Sequence, residues 1–296
     1  MKVLHLDSGR EMRGGQWQVL RLHQALVAAG HDSFLLARRG APLLTTAAGQ
    51  RLPCSALHTL QVLTRSRDFD IVHAHDARSH SLAALLSRVP LVVSRRVAFP
   101  VKSGALSKRK YQTASRYLAV SRFVAGILAE AGIDDSRVDV VYDGVEVPAQ
   151  PAQGDDIITP WTTDPAKGMA LADEAADLAG VELCHSMNLE GDLPDTKAMV
   201  YLSTAEGLGS GILLAMAYGV PVIASRTGGI PELIEDGVNG ILVPNEPNAI
   251  AQALRSLTPA RCAEIGRNAR ETVERRFTVS HMVEATLASY RKALHG

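Results

Sequence analysis

Between Ser203 and Pro244 the chain reads STAEGLGSGILLAMAYGVPVIASRTGGIPELIEDGVNGILVP, and here an acid stands directly before a glycine-rich turn. Glu206 precedes Gly207, Gly209 and Gly211, after which Ile212 to Tyr218 is apolar and contains no breaker. This is the pattern of a strand, a turn and a helix. Glycines in such a turn let the backbone approach a ligand, and the unpaired N–H groups at the helix start favour an anion. Gly219 ends the helix, and Val220 to Ser225 reads as a buried parallel strand. Thr227, Gly228 and Gly229 then repeat the turn before Pro231 and Glu232 open another helix. Two anion-friendly turns in succession suit a nucleoside diphosphate.

Five short segments occur in one order: Glu206-Gly207-Leu208-Gly209, Ala215-Met216-Ala217, Gly219-Val220-Pro221-Val222, Gly228-Gly229-Ile230-Pro231-Glu232, and Asp236-Gly237 with Asn239-Gly240. As a set they resemble the donor-binding half of family 4 glycosyltransferases. The resemblance implies the α/β GT-B fold, in which two Rossmann-like doubly wound parallel-sheet domains face a cleft. It also implies a retaining, metal-independent transfer of a sugar from a nucleotide-sugar co-substrate, with no other cofactor, to a glycan or lipid-linked acceptor. On this pattern the leaving diphosphate is held by Lys167 and by N–H groups at Gly207, Leu208, Gly209, Ser210, Gly228 and Gly229. A compact cation there offsets charge building on the leaving group. Glu206 matches the first acid of a pair and orients the sugar hydroxyls, a histidine near His75 contacts the sugar or phosphate, and Gly14-Gly15 match a loop that donor and acceptor approach.

The sequence departs from that pattern in three places. The second acid, expected on the ribose, falls on Leu214, and no basic residue stands between Ile158 and Ala166, where an arginine usually partners the lysine. The stretch from Glu182 to Tyr201 also leaves room for fewer elements than the family usually has. These departures keep a non-catalytic GT-B module open as an alternative. A nucleotide-sugar epimerase is another, requiring an added acid or base. A nicotinamide oxidoreductase would need G-x-G-x-x-G after the first strand, which Ser8 to Gly15 do not supply. A solvated lysine at a helix start is the alternative for Lys167, and a hydrogen-bonded structural histidine the less favoured alternative for His75.

The elements that must position these groups alternate along the chain. Strands are expected at Val3–Leu6, Ser33–Ala37, Ile71–His75, Leu91–Ser94, Tyr117–Ser121 and Val138–Tyr142, with helices from Gly14, over Ala56–Leu63, Ser79–Ser87 and Arg122–Ala131. That alternation gives a doubly wound parallel sheet, with ligands outside the carboxyl ends of its strands. His75, His80, Arg95 and Arg96 fall on that edge, the arginines and His80 as candidate acceptor ligands. Asp68-Phe69-Asp70 looks like a metal motif but precedes its strand, so it reads as turn and cap. A linker around Asp143-Gly144, Pro148 and Pro151 divides the chain into residues 1–148 and a shortened donor domain, 149–296. Strands at Val181–Cys184 and Met199–Leu202 and helices over 248–257, 259–275 and 279–294 follow, the resemblance implying that the last packs back on the first domain.

With 296 residues, 46% hydrophobic and 21% charged, the chain suits about two ordinary globular domains. Its longest apolar runs fall short of the roughly 18 residues of a membrane span, and no signal peptide is visible. Cys54, Cys184 and Cys262 match no metal or disulfide spacing, which fits a reducing cytoplasm. The net charge of zero conceals an asymmetry: residues 1–150 carry 20 Lys and Arg against 12 Asp and Glu, the remainder 11 against 19. In RRVAFPVKSGALSKRK, residues 95–110, basic and apolar side chains interleave, which suits peripheral contact with the inner face of a membrane, a phosphorylated acceptor or a solvated loop; a nucleic-acid partner is not expected.

Overall fold

Short apolar strands separated by helices are gathered into two parallel sheets in the computed structural model, which describes residues 1–101 and 104–295. Lys102 and Ser103, inside the basic stretch, lie outside the described residues. One compact unit comprises Met1–Gly144 with Val279–Gly296, the other Val145–Thr278. The division thus falls at Gly144, slightly before residue 148.

In the first unit the strands are β1 (Lys2–Asp7), β2 (Asp32–Ala37), β3 (Cys54–Ala56), β4 (Ile71–Ala74), β5 (Leu91–Arg95), β6 (Arg116–Ala119) and β7 (Val138–Val140). They lie in the order β3-β2-β1-β4-β5-β6-β7, every pair parallel. Val3, Ile71, Val92 and Leu118 pack against Leu22 and Leu26 of the helix Gly14–Ala28 and against Met282, Val283 and Tyr290 of the helix Val279–His295. Each fully buried leucine there is worth about 1.5–3 kcal/mol. A second cluster joins Val19, Leu20 and Leu35 to Leu43 and Ala47 of the helix Pro42–Gly49.

The helix expected over Ala56–Leu63 is a strand ending at Ala56 followed by a helix over Thr59–Arg65. The strand is short because only three residues pair with β2, and Leu57 N–H then bonds back to the Ala37 carbonyl. Asp70 accepts from Lys2 N–H at 2.7 Å, tying the start of β1 to the turn before β4. Part of the basic stretch is helical, over Ala105–Thr113.

The second unit holds β8 (Asp156–Pro160), β9 (Cys184–Ser186), β10 (Thr196–Tyr201), β11 (Val222–Ser225) and β12 (Ile241–Val243) in the parallel order β12-β11-β10-β8-β9. Ala198, Val200, Ile223 and Val243 form its core with Ala172 and Ala175 of the helix Met169–Ala179 and Ile250 and Leu254 of the helix Pro247–Arg255. β9 begins later than expected because Val181 closes the preceding helix, donating to the Ala176 carbonyl. The helix expected to open at Pro231 and Glu232 is a single turn of 3₁₀ helix, Ile230–Glu232. Asn239 accepts from Glu235 N–H at 2.7 Å and Asp236 from Leu242 N–H at 2.9 Å, and these side chains turn the backbone towards β12.

Candidate functional site

In the second unit Glu206 lies beyond the carboxyl end of β10, where the chain leaves the sheet. Its Oε2 lies 2.5 Å from Lys167 Nζ and accepts from Tyr201 Oη at 3.1 Å, while Oε1 accepts from Gly207 N–H at 3.2 Å. Tyr201, the last residue of β10, was not singled out in the sequence. Burial, and then the Glu206 carboxylate, push its phenol well above its ordinary pKa, so it stays a donor. Lys167 reaches the acid because Thr204 N–H bonds the Ala166 carbonyl at 2.8 Å, holding the two loops side by side.

The helix Ser210–Ala217 starts next, from Gly209 at φ +106°, and no side chain caps its first turn. A side chain at 209 would adopt a left-handed backbone and put Cβ 2.9 Å from Ile212 Cδ1. The uncapped first turn leaves N–H groups to be satisfied by something other than a side chain. Leu208 is buried, so its side chain does not face solvent at this turn. The second turn has a different reason for its glycines. At Gly228, φ +54°, a Cβ would lie 1.9 Å from the Glu206 carbonyl oxygen, and Gly229 N–H donates to that same oxygen at 3.0 Å. The Gly229 N–H expected on a diphosphate is therefore spent inside the protein, and the pair Gly228-Gly229 locks the Glu206 loop instead. Behind both turns, Ser203 N–H bonds Ser225 Oγ at 2.9 Å, Ser225 Oγ donates to Asn245 at 2.5 Å, and Asn245 Nδ2 donates to the Ser203 carbonyl. This network, also missed in the sequence, ties the loops after β10, β11 and β12.

In the first unit His75 follows β4, is 7% exposed, and has both nitrogens engaged. Arg96 Nη1 lies 3.3 Å from Nδ1, and Nε2 is 2.9 Å from His5 Nδ1. Arginine only donates, so Nδ1 accepts, Nε2 carries the proton and His5 accepts it. His5 Nε2–H then has no partner among the described residues. The expected contact between His75 and a sugar would require one of these bonds to break. His73 bonds Tyr290 Oη at 2.6 Å and Ser94 Oγ at 2.8 Å. His5, His73 and His75 bring nitrogens within 4.8 Å of one another. Burial above all, then the neighbouring imidazoles and the Arg96 cation, hold His5 and His75 well below the usual imidazole pKa; burial and Arg96 do the same for His73. All of their nitrogens except His5 Nε2 are bonded internally and a guanidinium stands beside them, an arrangement poorly suited to a cation.

The three expected acceptor ligands are likewise turned inward. Arg96 pairs with Asp143 at 3.2 Å, both nearly buried. Arg95 donates to Tyr111 Oη at 2.9 Å and to the Phe99 carbonyl. His80 is 1% exposed, with its ring edge-on to Tyr111 and Tyr117. Gly14 opens its helix and Gly15 is near only the Arg96 side chain, 3.9 Å from where a Cβ would sit.

The family model described as Glycosyltransferase Family 4 matches residues 12–147, and the one described as Glycosyl transferases group 1 matches residues 162–259. An alpha-maltose-1-phosphate synthase of Mycolicibacterium smegmatis is 40% identical over 99 residues, covering 30% of this chain and 26% of that protein. A D-inositol 3-phosphate glycosyltransferase of Gordonia bronchialis is 38% identical over 97 residues, 31% of this chain and 20% of the relative. The matched part of this chain thus spans about a quarter or less of those relatives' length. A crystal structure of Anabaena HepE in complex with UDP is similar over 98% of this chain and 100% of its own, with a TM-score of 0.85 at 18% identity. The same protein with UDP-glucose gives 0.82, and a glycosyltransferase of Rickettsia africae 0.79 at 19% identity. Family models over both halves of the chain, together with these folds, establish that it belongs to glycosyltransferase family 4 and has the GT-B fold.

Proposed function

We propose that this chain transfers a sugar from a nucleotide-sugar donor, with the donor diphosphate on the second unit. The observation that carries this reading is Lys167 held against Glu206 beside the uncapped start of the helix Ser210–Ala217. An arriving diphosphate offers Lys167 a stronger anionic partner, and the exchange frees the Glu206 carboxylate to accept from sugar hydroxyls. As the sugar–phosphate bond breaks, negative charge grows on the leaving oxygen, where a fixed cation and helix N–H groups stabilise it. HepE, which shares the fold, is seen with UDP and with UDP-glucose, which supports a uridine nucleotide as the first donor to try. In this reading the transfer retains configuration and needs no metal, and a glycan or lipid-linked acceptor of the cell envelope binds the first unit.

We further propose that the protein works in the cytoplasm, with residues 95–110 against the inner membrane surface. Leu106 and Phe99 are exposed there, and Lys108, Arg109 and Lys110 stand on the adjoining helix. Among the described residues no helix is long and apolar enough to cross a membrane.

Leu214 favours one second reading, a non-catalytic GT-B module, because a leucine accepts nothing from a ribose diol. Incubating the protein with UDP-, GDP- and ADP-sugars and following release of nucleoside diphosphate separates the two. The transferase reading predicts slow release by wild type from one donor, abolished in Lys167→Met. Nucleotide binding without release, in wild type and in Leu214→Glu alike, would favour the module.

A further inference from the structure

The strongest unassigned feature of the first unit is a pocket of about 510 Å³ over the carboxyl ends of four neighbouring strands. Ser8 follows β1, Arg38 and Arg39 follow β2, Leu57 and Thr59 follow β3, and Arg78, Ser79 and Leu82 belong to the helix after β4. That is the edge on which a doubly wound sheet presents ligands, at the point where strand order runs outward in both directions from β1.

Its charge is unbalanced. Arg38 and Arg78 make no side-chain hydrogen bond or ion pair among the described residues, and Arg39 donates only to His58 at 3.1 Å. No acid is among the described residues that line it, and Asp76, which bonds three of them, is saturated: it accepts from Ser8 N–H and Oγ–H, from Arg78 N–H, and from Ser79 N–H and Oγ–H, at 2.5–3.0 Å. Its carboxylate ties the lining residues Ser8 and Ser79 together and has little capacity left for the guanidinia. Arg95 and Arg96, by contrast, are committed to internal partners, and His80 is buried. The apolar wall is Leu57, Leu82 and Leu85, the last 82% exposed.

We infer that this pocket takes a phosphate-bearing acceptor, its phosphoryl oxygens among Arg38, Arg39 and Arg78 and its apolar face on the three leucines. A phosphate dianion suits the site because each guanidinium offers a planar fork of donors to its oxygens. The word acceptor rests on the transferase reading, whereas the anion site does not. The phosphate is carried either by a small molecule or by a lipid headgroup.

The test uses the full chain, with wild type, Arg38→Ser/Arg78→Ser and Arg38→Lys/Arg78→Lys compared after thermal melts confirm folding. One arm titrates phenyl phosphate in the presence of excess UDP; the other sediments the protein with phosphatidylcholine vesicles containing about 20 mol% phosphatidic acid. The inference predicts binding in at least one arm, weakened at least about ten-fold in the serine pair, partly kept in the lysine pair, and reduced by salt. Binding confined to the soluble arm assigns a free phosphate, and binding confined to vesicles a lipid one. No binding in either arm, or equal binding by wild type and the serine pair, overturns the site. UDP binding by itself, measured alongside, is unchanged in the serine pair. If UDP fails to bind wild type while phenyl phosphate binds through the arginines, the donor reading falls and the anion site stands.

Discussion

Replacing Gly228 with alanine isolates the contact that locks the Glu206 loop. The new Cβ would lie 1.9 Å from the Glu206 carbonyl oxygen, more than an ångström inside ordinary contact, and backbone meets backbone there, so no rotamer relieves it. The left-handed φ of +54° alone costs an alanine about 1–2 kcal/mol. Moving the loops apart also breaks the bond from Gly229 N–H to Glu206 O and strands a buried donor, a further loss of about 1–3 kcal/mol. The expected destabilisation of the second unit is therefore about 2–5 kcal/mol. Gly237, in the same unit at φ +76° with nothing within 4 Å of its Cβ position, supplies the control, and alanine there costs only the conformational part, about 1–2 kcal/mol. Urea unfolding followed by Trp161 fluorescence in a Trp17→Phe background reports the second unit alone, because these are the only two tryptophans. Equal destabilisation by the two substitutions, with nucleotide binding also equal, would refute the locking role.

Burial holds His23 and His80 at a pKa of about 4, against about 6.5 when unfolded, so between those values the unfolded chain binds protons that the folded one does not. The first unit should accordingly keep its full stability above pH 6.5 and lose about 1.4 kcal/mol per pH unit for each of these histidines as pH falls. Urea midpoints read from Trp17 at pH 7.5 and 5.5 check this, and a flat profile contradicts it. Asp76→Ala removes the acceptor of hydrogen bonds from Ser8, Arg78 and Ser79 and should cost the first unit about 2–4 kcal/mol, most of it recovered by no other residue; a loss under about 0.5 kcal/mol in the same assay would show the network is idle. Tyr290→Phe leaves His73 Nδ1 unpartnered at a fully buried site, with an expected loss of about 1–3 kcal/mol. Unaltered stability of that variant would show the bond to be dispensable.

The parallel strands were legible because they are apolar runs bounded by glycine, proline or aspartate, as at Ile71, Leu91 and Val222. Where the signal is local and short, tertiary pairing decides instead. Cys54-Ser55-Ala56 becomes a strand only by lying beside Leu35 to Ala37, and the chain after Pro231 avoids a helix because Asp236 and Asn239 capture backbone N–H groups beyond it. In the candidate site, the glycines and Glu206 announce a turn and an acid, but not that Gly228 and Gly229 serve Glu206 itself. The position of Arg95, Arg96 and His80 on the ligand edge was readable, but their occupation by Phe99, Asp143 and a tyrosine pair is a property of packing. Arg38 and Arg78 were passed over because an isolated surface arginine carries no sequence pattern; only the strand order places them together.

Calorimetric titration of the full chain with UDP, GDP and ADP, in wild type and in Lys167→Met, tests the donor site most directly. The account predicts binding of one nucleotide with a Kd on the order of micromolar, weakened by about ten-fold or more when the Lys167 cation is removed. Failure of all three to bind, or equally tight binding by Lys167→Met, would contradict it.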